Sequence, residues 1–133
     1  MALLLPQDYE KLAEKAISFE ESQEQRFVIF TAYVLPEGVY TATQCDVLVC
    51  IPPNYNQAGN DMFWTNPRLA RAHGAGIPNI NGPGEDSRVW QGREFCRWSR
   101  HWQTGSNVWR PGRDDIISIY RRIDWALRHP DCQ

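Results

Sequence analysis

Cys96 stands in the run Gly92-Arg93-Glu94-Phe95-Cys96-Arg97-Trp98-Ser99-Arg100-His101-Trp102. A thiol flanked by Arg93, Arg97 and Arg100 is a candidate nucleophile, because neighbouring cations favour the thiolate. His101 on the same segment could act as its base. The competing readings are a small core residue for Cys96 and a hydrogen-bonded packing residue for His101. Trp90, Trp98, Trp102 and Trp109 are four of the six tryptophans in the chain. Rings that large are costly to leave in water, so this stretch is either the floor of a core or the wall of a site. Trp98 and Trp102 would share a face if their segment were a helical turn.

Other chemistries find less support. Cys45, Cys50, Cys96 and Cys132 include no Cys-x-x-Cys pair and no histidine at ligand spacing, so no metal site is expected. Cys45 and Cys50 fall in one strand-like run and should point to opposite faces, where they cannot bridge one another. There is no P-loop, no catalytic triad and no supported carboxylate pair, and no cofactor is expected. The net charge of -2 gives no overall positive field toward nucleic acid or anionic lipid. No apolar run approaches membrane-spanning length. The opening Met-Ala-Leu-Leu-Leu-Pro lacks the length and basic leader of a signal peptide, so a cytoplasmic protein with reduced thiols is the expectation.

The elements that must position these residues can be read along the chain. With 133 residues, 42% apolar and 23% charged, one globular domain over 1–133 is expected. Tyr9, Leu12, Ala13, Ala16 and Ile17 recur at helical spacing, predicting a helix that Asp8 caps and that ends near Phe19, before a polar bend. Arg26–Leu35 predicts a strand and Pro36-Glu37-Gly38 a turn. Val39–Ile51 predicts the returning strand, with Val39, Thr41, Thr43 and Cys45 on one face. Asp61–Thr65 predicts a third short strand, and Arg68–Val89 a long structured loop. Asp114 or Asp115 should start a closing helix with Ile116, Tyr120, Ile123 and Leu127 buried. Ile117 and Trp125 are expected to widen that face, and Arg121, Arg122 and Arg128 to complement the helix dipole.

A leading helix, an antiparallel meander and a closing helix make an α+β domain. The chain resembles the ubiquitin-conjugating enzyme superfamily (UBC-like fold), and within it the bacterial branch found beside ubiquitin-like proteins and activating enzymes. The resemblance spans roughly Leu5 to Leu127. It rests on the meander with Pro36-Glu37-Gly38, on Ile51-Pro-Pro-Asn-Tyr55 leading to Asp61-Met-Phe-Trp-Thr-Asn-Pro67, on Trp98-Ser-Arg-His101, and on Trp109-Arg-Pro-Gly112 before the helix.

The resemblance implies two alternatives. In one, Cys96 accepts a ubiquitin-like protein as a thioester, with His101 as the base read above and Asn79 as either the oxyanion donor or, the favoured reading, a loop residue. In the other, the protein is a catalytically silent adaptor, a pseudoenzyme. It would dock on an activating-enzyme-like protein or a ubiquitin-like protein through Trp98, Arg100, Trp102 and Trp109, with no nucleic-acid or membrane partner. Active members carry His-Pro-Asn shortly before the cysteine. Ile77-Pro78-Asn79 lacks the histidine and stands further away, Arg97 replaces an apolar residue after the cysteine, and the adaptor is favoured.

Overall fold

The structure, a computed structural model, describes residues 2–102 and 108–132. The polar insert 103–107 of the tryptophan-rich stretch lies outside the described residues. The elements are α1 (Pro6–Glu14), β1 (Phe19–Ser22), β2 (Phe27–Val34), β3 (Gln44–Cys50), β4 (Phe63–Asn66), β5 (Arg88–Trp90), β6 (Arg93–Trp98) and α2 (Ile116–Arg128). All neighbouring strands are antiparallel, in the order β1-β2-β3-β4-β6-β5. The α+β class is as expected, with a helix at each end of the chain and a curled sheet between them.

Several boundaries differ from the sequence expectation, each for a local reason. The first helix stops at Glu14 because Ala16 turns left-handed at φ 54°. The Ala16 amide then donates to Ala13 O and the Ile17 amide to Leu12 O, the paired closing bonds of a Schellman motif. Phe19–Ser22, expected as the end of the helix and a polar bend, is an edge strand paired with β2. Asp8 is not the cap itself. Leu5 holds that position, and the Asp8 carboxylate accepts its amide from inside the first turn. The returning strand begins only at Gln44; before it, Tyr40 is buried while Thr41 and Thr43 are exposed.

The largest difference is the tryptophan-rich stretch. Trp90 and Arg93 face each other across a two-residue reversal in which Gln91 and Gly92 both have positive φ, 51° and 73°. That is the geometry a tight β-hairpin demands. Gly92 is therefore a turn residue of a hairpin, and the segment after it is a strand, not a helical turn. The loop before it, 68–87, lies against this hairpin, with the Asn81 amide donating to Arg97 O and the Trp64 indole to Asp86 O.

The helices cover one face of the sheet. Leu12 from α1 and Ile116, Ile119, Ile123 and Leu127 from α2 pack with Val28, Phe30, Val47, Val49, Phe63 and Trp98. Each such aliphatic side chain contributes roughly 1.5–3 kcal/mol when fully buried. Phe27, Ile29, Leu48, Trp64, Trp90 and Phe95 form a second cluster on the opposite face. There the sheet curls: the Gln25 side-chain Nε2 in the β1–β2 turn donates to Val89 O of β5. Arginines complete the cover, with Arg88 4.4 Å from the Trp64 ring centroid and Arg93 5.3 Å from that of Phe95. Cys45 faces the helices and Cys50 the second cluster, as strand alternation requires, and all four thiols are free.

The N-terminus of α2 fixes the two helices together. Asp115 accepts the Ile117 and Ser118 amides at 3.0 and 3.2 Å, and Ser118 Oγ accepts the Asp115 amide. Lys11 of α1 adds an ion pair to Asp115 at 2.6 Å. Beneath it, Asp8 is wholly buried and accepts the Tyr55 hydroxyl at 2.9 Å and the Ile116 amide at 3.4 Å.

Candidate functional site

Cys96 sits in the middle of β6, an interior strand with β4 on one side and β5 on the other. Its partner across the sheet is Thr65, and its relative exposure is 4%. Alternation along the strand sends Arg93 and Arg97 to the opposite face. There they pair with Asp46 and Asp86 and cannot support a thiolate at Cys96. Arg100 does not support it either: it donates to the carbonyls of Pro78 and Pro130. Burial pushes the Cys96 thiol up, Glu94 adds to the rise, and Arg68 opposes it. A thiol that must be an anion to react is held toward its neutral form. Cys45 is pushed further, to about 12, again by burial.

The other two candidate catalytic residues are placed elsewhere. Asn79 has φ 53° and is exposed, and its carbonyl accepts the Ser99 amide beside the end of β6. Ser99 is three residues beyond Cys96, about 10 Å along an extended chain. His101 turns outward, and its Nδ1 meets the Asp61 carboxylate at 2.6 Å with both side chains more than half exposed.

Of the four residues expected to meet a partner, two are interior. Trp98 is 1% exposed, stacks on Phe63 at 5.3 Å between ring centroids, and donates its indole N–H to Thr65 Oγ1. Arg100 is buried against the Trp98 ring, tying the 78–79 segment and Pro130 to the end of β6. Neither presents a surface.

Trp102 and Trp109 are different. They meet edge to face at 5.1 Å, both half-buried, at the end of the molecule where the loop after β3 approaches the start of α2. Trp102 therefore pairs with Trp109, where the sequence suggested Trp98. Asn60, itself buried, accepts the Trp102 indole N–H at 3.0 Å and donates to Met62 O. Asn56 O accepts the Trp109 indole N–H, and its amide group donates to Asp114 O. A side chain on Gly59 would put its Cβ 2.2 Å from the Trp109 ring, so only glycine lets that ring lie flat on the loop. Arg122 of α2 stacks on Trp102 at 4.5 Å. Burial lowers its pKa to about 10, with Asp61 acting in the other direction.

Asn56, Gly59, Asn60 and Arg122 are the residues of this end that sequence reasoning did not single out. A signal was present: a glycine between polar residues, in a loop that must pass beside one of the tryptophans. Among the described residues no group of histidines, cysteines and carboxylates could hold a metal ion. No helix among them is long and apolar enough to cross a membrane.

The fold and the placement of these residues can be set beside known families. A family model described as prokaryotic E2 family E matches residues 4–130. The chain belongs to that family. No curated protein and no solved structure matches it. This family E protein is an E2-like component of a bacterial conjugation system, and such proteins work with an activating enzyme and a ubiquitin-like protein. Membership agrees with the curled antiparallel sheet between an N-terminal and a C-terminal helix.

Proposed function

We propose that this family E protein acts in ubiquitin-like conjugation as a silent adaptor, binding other components without carrying a thioester on Cys96. The observation that carries the reading is the position of Cys96 on an interior strand, with its side chain buried and its thiol pushed toward the neutral form. Transthiolation needs an exposed thiolate that a second thioester can approach in line. It also needs hydrogen-bond donors aimed at the developing oxyanion. The burial of the Cys96 thiol and the outward pairing of His101 with Asp61 support the silent reading. Docking on the activating enzyme or the ubiquitin-like protein falls to Trp102 and Trp109, whose half-buried rings are held by Asn60, Asn56 and Gly59.

The test mixes the protein with the activating enzyme and ubiquitin-like protein of the same system and ATP, followed by a gel without reductant. The reading expects a stable complex and no adduct. A reductant-sensitive adduct that Cys96→Ala abolishes would overturn it in favour of the active enzyme.

A further inference from the structure

The outward face of α2 does not look like an ordinary solvated surface. Arg121, Trp125 and Arg128 follow one another at the i, i+4, i+7 spacing of a single stripe, and Arg122 and His129 flank it. Trp125 is 52% exposed, whereas the sequence pattern suggested that it widens the buried face. The reason is angular: two residues past the buried Ile123, a helical side chain points nearly the opposite way. His129 stacks on the ring at 4.4 Å, and its Nδ1–H donates to Trp125 O. The tryptophan is thereby braced in one outward position.

The cations of this face outnumber the carboxylates that reach them. Arg121 and Arg122 have no ion pair among the described residues, Arg122 feels Asp61 only at a distance, and Arg128 pairs with Asp124. Positive charge near a helix C-terminus favours the dipole and explains an arginine in the last turn. It does not explain a tryptophan ring left in water. Through Arg122, which stacks on Trp102, the stripe is continuous with the Trp102–Trp109 end.

We infer that this face of α2 is a docking surface for an acidic segment of a partner protein, anchored on Trp125 and steered by Arg121, Arg122 and Arg128. Tryptophan and arginine together are the composition of interface hot spots. The complementary charge lies on the partner, because the stripe carries an excess of cations in a chain whose net charge is -2. A nucleic acid fits less well: one ring offers no track on which successive bases could stack. A lipid surface fits less well too, because the apolar face of α2 is already buried in the core. The inference stands whether or not Cys96 is silent.

The probe is a fluorescein-labelled peptide of glutamates and aspartates carrying two leucines four residues apart, followed by fluorescence anisotropy on the full chain. The expected result is binding that weakens with salt, about tenfold weaker binding in Trp125→Ala, and loss of binding in Arg121→Glu with Arg128→Glu. Trp125→Ala keeps the wild-type fold, and because Arg128→Glu breaks the pair with Asp124 the melting temperatures are measured alongside and binding is compared well below the lowest of them. Val89→Ala, on exposed β5, binds as wild type. A peptide that does not bind, or that binds the α2 variants equally well, overturns the inference. So does preference for a thymidine oligonucleotide or phosphatidylserine vesicles over the peptide.

Discussion

Cys96 and Thr65 stand directly opposite each other on β6 and β4, on the same side of the sheet as Phe63 and Trp98. Thr65 is wholly buried and its hydroxyl accepts the Trp98 indole N–H, so the cysteine is one square of a packed floor. The arginines that suggest an activated thiol in the sequence are on the other face of the same strand.

Gly59 supports the Trp109 ring. Replacing it with alanine forces the ring or the loop to move, since the added carbon would stand 2.2 Å from the indole. Gly59→Ala is expected to cost about 1–3 kcal/mol of stability, the range for overpacking, and to shift the tryptophan emission. Urea denaturation and a fluorescence spectrum check both.

Asp8 joins the starts of both helices to the loop after β3. Asp8→Ala leaves the Leu5 amide and the Tyr55 hydroxyl without their buried acceptor. A loss of about 3 kcal/mol is expected, since hydrogen bonds to a charged group are worth roughly 1.5–3 kcal/mol each. Chemical denaturation of the variant measures it. The exposed substitution Glu10→Ala serves as the control and should change little.

Acid should loosen the start of α2. Burial tends to raise the Asp115 carboxyl, but Lys11 and the Ser118 and Ile117 amides outweigh it and hold the group below its ordinary value. Asp114 is likewise lowered: burial opposes, and Arg110 with Ser118 prevails. A folded pKa below the unfolded one means stability that is present above the usual aspartate value of about 3.9 and lost as pH falls through the folded pKa. Thermal melts from neutral pH downward should fall below about pH 4. Asp115→Asn should flatten part of that decline.

Much of the fold was legible in the sequence because the relevant residues alternate or recur without interruption. The stripe of Ile116, Ile123 and Leu127, the apolar run into Ile51 and the turn at Gly38 fall where their spacing puts them. The end of α1 was not legible, because an alanine takes the left-handed position where glycine is the usual signal. The strand Arg93–Trp98 was hidden for a different reason. Its outer face alternates arginine with phenylalanine; Arg93 lies over the Trp90 and Phe95 rings and Arg97 pairs with Asp86, so a covered face reads as a charged one. Reading Cys96 as activated followed from counting neighbours along the chain, where strand geometry sends adjacent residues apart. Trp125 shows the converse: beside a buried stripe in sequence, it faces outward in space.

The most direct measurement is the order in which the four cysteines react with iodoacetamide in the folded protein, followed by peptide mass spectrometry. Cys132 is exposed and Cys50 half-buried, while Cys45 and Cys96 are buried with thiols pushed upward by that burial. Cys132 should be modified first and Cys96 only as fast as the whole domain unfolds, so that urea brings it level with the rest. Modification of Cys96 in the native protein as fast as Cys132 would contradict the sealed-thiol account and return Cys96 to the list of candidate nucleophiles.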